Sequence, residues 1–248
     1  MKYPKINTLW KRDMANKGAI VEGDYSKEEF ENIINWHFTE KIDGTNIRII
    51  FKKELEILAG VSVGDQKLKT TLKFGGRTDN AQLYPKLLDY LKEQFDSELF
   101  ERVFEIEDTQ LYGLKKETEI ILFGEGYGAK IQKGGGDYRA DVGFILFDIW
   151  VDGWWLQRKA VVEIAEKMGI DVVPEIKIGI GEINIHTIKD ALTFIKSIPN
   201  SQIAEKDKVM EGIVARSDPL MLFRNGDPIM WKLKVKDYEQ LIKIKRTE

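Results

Sequence analysis

Apolar residues fall at helical spacing in some stretches of the chain and alternate or run together in others. In residues 26–35, Phe30, Ile33 and Ile34 share one face, and Ser26-x-x-Glu29 is a capping-box pattern, which predicts a helix. Residues 46–51 alternate in part and predict a strand, residues 55–63 predict another, and Gly75-Gly76 predicts a turn. In residues 80–95, Leu83, Leu87, Leu88, Leu91 and Phe95 line one helical face; in residues 97–104, Phe100, Val103 and Phe104 do so. The apolar runs 119–123 and 144–150 predict buried strands. Residues 157–168 predict a helix with Val161, Val162, Ala165 and Met168 inward. Thr187-x-x-Asp190 caps another that carries Ile188, Ala191, Leu192 and Ile195. Strands follow at 212–216, 221–223 and 230–235, then a charged tail, 236–248, with the pattern of a short amphipathic helix.

Helices and strands interleave without the regular rhythm of a parallel sheet. The expected fold class is α+β, a single domain of largely antiparallel sheets flanked by helices. No repeat, low-complexity tract or linker divides residues 1–248.

Composition narrows the function classes. The chain has 248 residues, 43% hydrophobic and 32% charged, enough for a sizeable core. Cysteine is absent, which excludes disulfides, thiol nucleophiles and cysteine-bound zinc, and the two histidines, His37 and His186, exclude a His-rich metal site. No stretch is apolar enough to span a membrane and the N-terminus has no apolar signal core, so a cytoplasmic protein without a membrane partner is expected. A net charge of −3 argues against binding nucleic acid through bulk charge, though not against a local basic groove.

Gly124-x-Gly126-x-x-Ala129 follows a strand, and Asp148 lies some twenty residues on, superficially a dinucleotide-binding fingerprint. That fingerprint needs a helix to begin at the glycines. Ile131-Gln-Lys-Gly-Gly-Gly136 follows instead and opposes one. A phosphate loop of the G-x-x-x-x-G-K-[ST] type is also missing.

The informative segment is Glu40-Lys41-Ile42-Asp43-Gly44-Thr45-Asn46. Alone, a lysine before an Asp-Gly turn is a common surface pattern. Downstream, in order, stand Gly76-Arg77, Phe123-Gly124-Glu125-Gly126, Phe144-Ile-Leu-Phe147-Asp148, Glu211-Gly212-Ile213-Val214 and Trp231-Lys232-Leu233-Lys234. This series resembles the covalent nucleotidyltransferase superfamily of ATP-dependent DNA and RNA ligases and mRNA capping enzymes. The resemblance covers about four-fifths of the chain, Lys41 to Lys234. The form K-x-D-G-x-N and the Gly-Glu-Gly-Tyr-Gly version of the third motif look most like RNA ligases of the phage type that seal nicks in duplexes.

The chemistry fits these residue types. A free lysine has a pKa near 10.4 and must lose its proton before it attacks phosphorus. Positive neighbours or a metal, with partial desolvation, favour that loss. Lys232 and Lys234 lie two apart, so in a strand they share a face. The resemblance implies a nucleotidyltransferase (adenylation) domain with an ATP-grasp-like ligase fold. It makes Lys41 the nucleophile that becomes lysyl-AMP and sets Glu40 beside the adenine. Asp43 and Asn46 lie near the nucleophile, Arg77 and Glu125 contact ribose or phosphate, and Phe147 stacks on the purine. Glu211 binds the metal, with Asp43 and Glu125 as further carboxylates, and Lys232 and Lys234 hold the AMP phosphate. The implied cofactors are ATP and Mg²⁺, with Mn²⁺ as the alternative metal. Lys130 and Arg139, flanking the glycine triplet, are equally well explained as phosphate contacts or as solvated loop charges.

Most such enzymes carry a second, often OB-type, domain after the K-x-K motif. Here 14 residues follow Lys234, so a bare catalytic domain without an OB domain is expected. The grip on nucleic acid then falls to the tail (Lys236, Lys243, Lys245, Arg246), to residues 67–73, or to a partner protein that replaces the second domain. The implied function is an ATP-dependent RNA ligase of phage-encoded type, joining 3′-OH and 5′-phosphate ends through lysyl-AMP and 5′-adenylylated nucleic acid. The alternatives are a DNA or mixed RNA/DNA nick ligase, a capping-type guanylyltransferase, and a non-catalytic nucleic-acid-binding module.

Overall fold

The computed structural model describes residues 1–56, 67–106, 110–111, 114–115, 117–178 and 183–238. In chain order the first elements are β1 (Asn7–Thr8), β2 (Trp10–Asp13), β3 (Ala19–Tyr25), α1 (Glu29–Asn32), β4 (Trp36–Lys41), β5 (Thr45–Glu56) and β6 (Lys67–Gly75). Next come α2 (Pro85–Gln94), α3 (Ser97–Val103), β7 (Gln110–Leu111), β8 (Leu114–Lys115), β9 (Thr118–Gly128), β10 (Val142–Val151) and β11 (Trp154–Trp155). The last are α4 (Arg158–Met168), β12 (Lys177–Ile178), β13 (Ile183–Asn184), α5 (Ile188–Lys196), β14 (Gly212–Ser217) and β15 (Met230–Lys234). The chain is α+β with mostly antiparallel pairing, as its patterning predicts; the described exceptions are the short parallel pair β1–β15 and the isolated parallel bridge Leu146–Val172. It divides into two compact units, Met1–Lys2 with Gly44–Val172, and Tyr3–Asp43 with Val173–Glu248.

The unit beginning at Gly44 is built on the sheet β11-β10-β9-β5-β6. One face carries Ile47, Ile49 and Phe51 of β5 with Ile120 and Leu122 of β9, and packs on Leu87 and Leu91 of α2, Phe100 of α3, and Val161 and Ala165 of α4. Phe51 and Phe100 stack with ring centroids 5.2 Å apart. Asp96 caps α3, its carboxylate accepting from the Leu99 amide at 2.7 Å. The helix anticipated over 80–95 begins only at Pro85. Proline suits a first helical turn, and Tyr84 before it is held extended (ψ 126°). Val162 of α4 is only half-buried, whereas Val161, Ala165 and Met168 are inward. The anticipated strand 55–63 falls largely outside the described residues, and its first two positions close β5.

The other unit is built on the sheet β1-β15-β14-β4. Trp36 and Phe38 of β4, Ile213 and Ala215 of β14, and Trp231 and Leu233 of β15 form one buried face with Ala191 and Ile195 of α5. The Trp231 ring meets Phe38 edge-on at 5.5 Å. Thr187 caps α5 as its spacing predicts, its hydroxyl accepting from the Asp190 amide at 3.2 Å. The capping box at Ser26 does not form. The Ser26 hydroxyl donates to the Thr8 carbonyl, and α1 is a single turn starting at Glu29. Phe30 is buried, but Ile34 lies beyond the helix and is 78% exposed. Residues 221–223 are not a strand. They form one side of a tight turn in which Phe223 N donates to Asp227 O and Gly226 takes φ +84°. The tail is described only to Tyr238, a buried ring whose hydroxyl accepts from Trp10 Nε1 at 3.0 Å. Lys243, Lys245 and Arg246 lie outside the described residues. No described helix is long and apolar enough to cross a membrane.

Candidate active site

Lys41 is the last residue of β4. Burial alternates along this strand, so Trp36, Phe38 and Glu40 face the core and His37, Thr39 and Lys41 face away from it. β14 pairs with β4 on one side and β15 on the other, and Gly212 stands directly opposite both Lys41 and Lys234. The three residues form one row across three strands. The outer two Cα atoms are therefore ~10 Å apart, two strand spacings.

Glu211, just before β14, spans that gap. Lys41 Nζ donates to its Oε2 at 2.6 Å and Lys234 Nζ pairs with its Oε1 at 2.7 Å. Lys41, Lys234 and Glu211 side chains are only 22, 23 and 16% exposed. Burial pushes the Glu211 carboxyl up. The charge of Lys41 and hydrogen bonds from both lysines outweigh it, and the group ends below the ordinary carboxylate value. Gly212 makes the row possible. A Cβ there would lie 2.0 Å from the Leu233 carbonyl oxygen and 2.9 Å from Lys234 Cα. Lys232 lies on the same side of β15 as Lys234, opposite Val214.

β4 turns the Glu40 side chain to the face opposite Lys41, so only its backbone adjoins that lysine. The carboxylate is 1% exposed; Oε2 accepts from the Gln202 amide at 2.8 Å and Oε1 has no hydrogen-bond partner among the described residues. Burial raises the Glu40 pKa above its ordinary value, with the Ser201 hydroxyl and Gln202 amide opposing.

In the Gly44 unit, Asn46 on β5 stands opposite Glu125 on β9, and Glu125 opposite Ile145 on β10. Glu125 is partly exposed amid a buried run of β9. The β9–β10 register slips between Leu146 and Asp148, so Phe147 sits at a bulge, partly exposed between buried neighbours. A Cβ on Gly44 would lie 2.3 Å from the Gly126 carbonyl and 2.8 Å from Glu125 Cγ. The glycine of K-x-D-G is thus required by the close approach of the Gly-Glu-Gly strand. The decoy glycines, Gly124 and Gly126, sit inside β9 rather than at a helix start.

Arg77 is exposed, just beyond β6. Lys130 is exposed too, while Arg139 lies over the Tyr127 ring, 5.9 Å from its centroid. The patterning overlooked two residues. Arg48, 2% exposed, donates Nε to Gly76 O at 2.7 Å, Nη1 to Met1 O at 2.8 Å and Nη2 to Asp79 Oδ1 at 2.8 Å, which anchors the segment before Arg77. Gln132 Nε2 donates to the Gly44 carbonyl at 3.0 Å. Only their position two residues after Asn46 and within the glycine-rich loop marks them in sequence.

A two-lysine, one-carboxylate cluster on the end of three strands suits a covalent attack on a phosphate. The RNA ligase family model matches residues 34–234, a span holding every residue of that cluster. The chain belongs to the RNA ligase family. Among solved structures, the Naegleria gruberi RNA ligase with PPi is similar over 96% of this chain and 61% of its own, at 15% identity and a TM-score of 0.50. A lysine-to-alanine mutant of the same ligase with ATP and Mn is similar over 98% of this chain and 62% of its own, at 14% identity and a TM-score of 0.51. At such identities the likeness speaks to the fold, and this RNA ligase family member spans about three-fifths of the length of those proteins. No curated protein matches it in sequence.

Proposed function

We propose that the protein is an ATP-dependent RNA ligase that joins a 3′-OH to a 5′-phosphate through lysyl-AMP and a 5′-adenylylated strand. The observation that carries this reading is the Lys41–Glu211–Lys234 contact, where a candidate nucleophile, a carboxylate and a second cation meet on adjacent strands. Residues 1–248 act as the adenylation domain, with 236–248 a charged extension.

Lys41 Nζ attacks the α-phosphorus of ATP; pyrophosphate leaves, and the phosphoramide bond holds AMP. The adenylate then passes to the 5′-phosphate, and the 3′-OH displaces AMP as the new phosphodiester forms. Lys234 and Lys232 hold the α-phosphate from one side of β15. Phe147, partly exposed at its bulge, takes the purine face, and Glu125 and Asn46 take ribose or phosphate contacts. Arg77 reaches the phosphate region, and Asp43 orients the loop after the nucleophile. Glu40 contributes its backbone next to the base, while its side chain fixes residues 201–202 to β4.

A divalent cation fits this donor set in one way. Among the described residues no three His, Asp or Glu side chains gather into a cage. A hard octahedral ion that keeps water and substrate oxygens needs only one or two carboxylates, and Glu211 supplies the first. Asp43 and Glu125 are candidates for contact through water. When bound, Mg²⁺ or Mn²⁺ neutralises phosphate charge and favours the neutral amine of Lys41.

A ligation panel tests the reading. Single-stranded, splinted and nicked-duplex RNAs, with ribose or deoxyribose at the 3′ end of the nick, are incubated with ATP and Mg²⁺. Sealing that requires the terminal 2′-OH supports an RNA ligase. Equal sealing of all-DNA nicks would make it a DNA ligase, and protein labelling by GTP alone would make it a guanylyltransferase.

A further inference from the structure

The sheet face that carries Lys41 extends well past the catalytic row. Along β15, Met230, Lys232 and Lys234 share one side, with Trp231 and Leu233 in the core on the other. Register sets three rows on that side: Lys41–Gly212–Lys234, then Thr39–Val214–Lys232, then His37–Arg216–Met230.

Met230 also lines a cleft of about 380 Å³. Lys5 and Asn7 line it from the N-terminal stretch, Lys27 from the residues before α1, and Phe223, Arg224 and Asn225 from the tight turn before β15. Lys5, Lys27 and Arg224 are exposed and make no ion pair among the described residues. The acidic residues of the wall are Glu29 and Asp227, and the Asp227 carboxylate already accepts from Asn225 Nδ2 at 2.8 Å. Phe223 is partly buried against the core and offers a ring beside the cations. A chain of net charge −3 that gathers three exposed cations, without an ion pair among the described residues, around one polar cleft is suited there to a polyanion.

Met230 and Lys234 are four residue steps apart along β15, which is ~13 Å of extended chain. A duplex strand advances ~3.4 Å per nucleotide, so this equals about four nucleotides. We propose that the cleft binds the phosphodiester backbone of the nucleic-acid strand about four nucleotides from the end being joined. The distance rests on the ligase reading, which puts the reacting end at the Lys41–Gly212–Lys234 row; the affinity of the cleft for strand phosphates does not.

The test uses the full chain without ATP and a fluorescent nicked RNA duplex, followed by anisotropy across a salt series. Lys5→Ala/Arg224→Ala binds about tenfold more weakly, and its salt slope falls by roughly one for each cation removed. Arg224→Lys, which keeps the charge, retains affinity, and the exposed pair Lys167→Ala/Lys189→Ala, outside the lining of the cleft, changes nothing. Self-labelling by ATP stays at the wild-type level in every variant. Shortening the flanking duplex below about four base pairs abolishes the difference between wild type and the double variant. Unchanged affinity and slope in the double variant would overturn the proposal. So would pyrophosphate displacing RNA from the wild type as well as unlabelled RNA does, since that marks a free-anion site. A wild type that takes no label from ATP while the double variant still loses RNA affinity would sink the ligase reading and leave the cleft assignment standing.

Discussion

Glu211 and Lys41, 170 positions apart in sequence, meet at 2.6 Å across the β4–β14 pair. The contact places a carboxylate on the amine proposed to attack ATP, and the same carboxylate reaches Lys234 at 2.7 Å. Glu211→Gln keeps the shape and removes the charge. Self-labelling by ATP at pH 7 is expected to fall by about a hundredfold or more, because both the metal ligand and the electrostatic link between the lysines are lost. Labelling within a few-fold of wild type would remove Glu211 from the mechanism.

Glu211 and Glu40 affect stability with opposite signs. Glu211 has a lowered pKa, so it contributes stability that is present above its ordinary value of 4.5 and lost as pH falls through the folded-state value. Glu40 has a raised pKa, so its contribution is present below 4.5 and lost as pH rises through the folded-state value. Thermal melts from pH 3.5 to 7 separate them. Glu40→Gln should melt higher than wild type at pH 7 by a few degrees, since ~1 kcal/mol moves Tm ~2–4 °C in a chain of this size, with the gap closing toward acid. Glu211→Gln should melt lower at pH 7, and its gap should also close toward acid. Parallel curves for either variant would contradict the assignment.

Gly212→Ala places a methyl 2.0 Å from the Leu233 carbonyl oxygen, a backbone atom that cannot move alone. The β14–β15 pair must shift, at ~1–3 kcal/mol. Because Gly212 is opposite both lysines, labelling should fall further than the melt implies. A variant as stable and active as wild type would show that the row is not constrained as described.

Phe147 bulges from β10 and is partly exposed, so truncation should spare the fold. Stacking of a base on an aromatic ring is worth ~1–3 kcal/mol, so Phe147→Leu should raise KM for ATP about tenfold while Phe147→Tyr restores it. A loss of melting temperature with unchanged KM would make Phe147 a packing residue.

Some features around Lys41 are legible in the sequence because their signals are local. Lys232 and Lys234 share a face by strand alternation, and Gly44 and Gly212 stand where no Cβ fits. The face that Glu40 takes follows from strand alternation, since β4 sends neighbouring side chains to opposite faces, whereas its partner, the Gln202 amide, is distant in sequence and leaves no spacing signature. The apolar spacing of the helix that ends at Gln94 reaches back to Leu83, but Pro85 sets its start. Ser26 looked like a cap because its type and spacing fit; a carbonyl distant in sequence, that of Thr8, claims its hydroxyl. Arg48 was invisible for the opposite reason. Its three partners, Gly76, Met1 and Asp79, come from separate segments and leave no spacing signature.

The central claim is that Lys41 forms a covalent bond to AMP. Protein incubated with ATP and Mg²⁺, then digested and sequenced by mass spectrometry, tests it most directly. The account predicts one adenylate per chain, acid-labile and on the peptide containing Lys41, with none in Lys41→Arg. An adenylate on another lysine, or an undiminished adduct in Lys41→Arg, would contradict it.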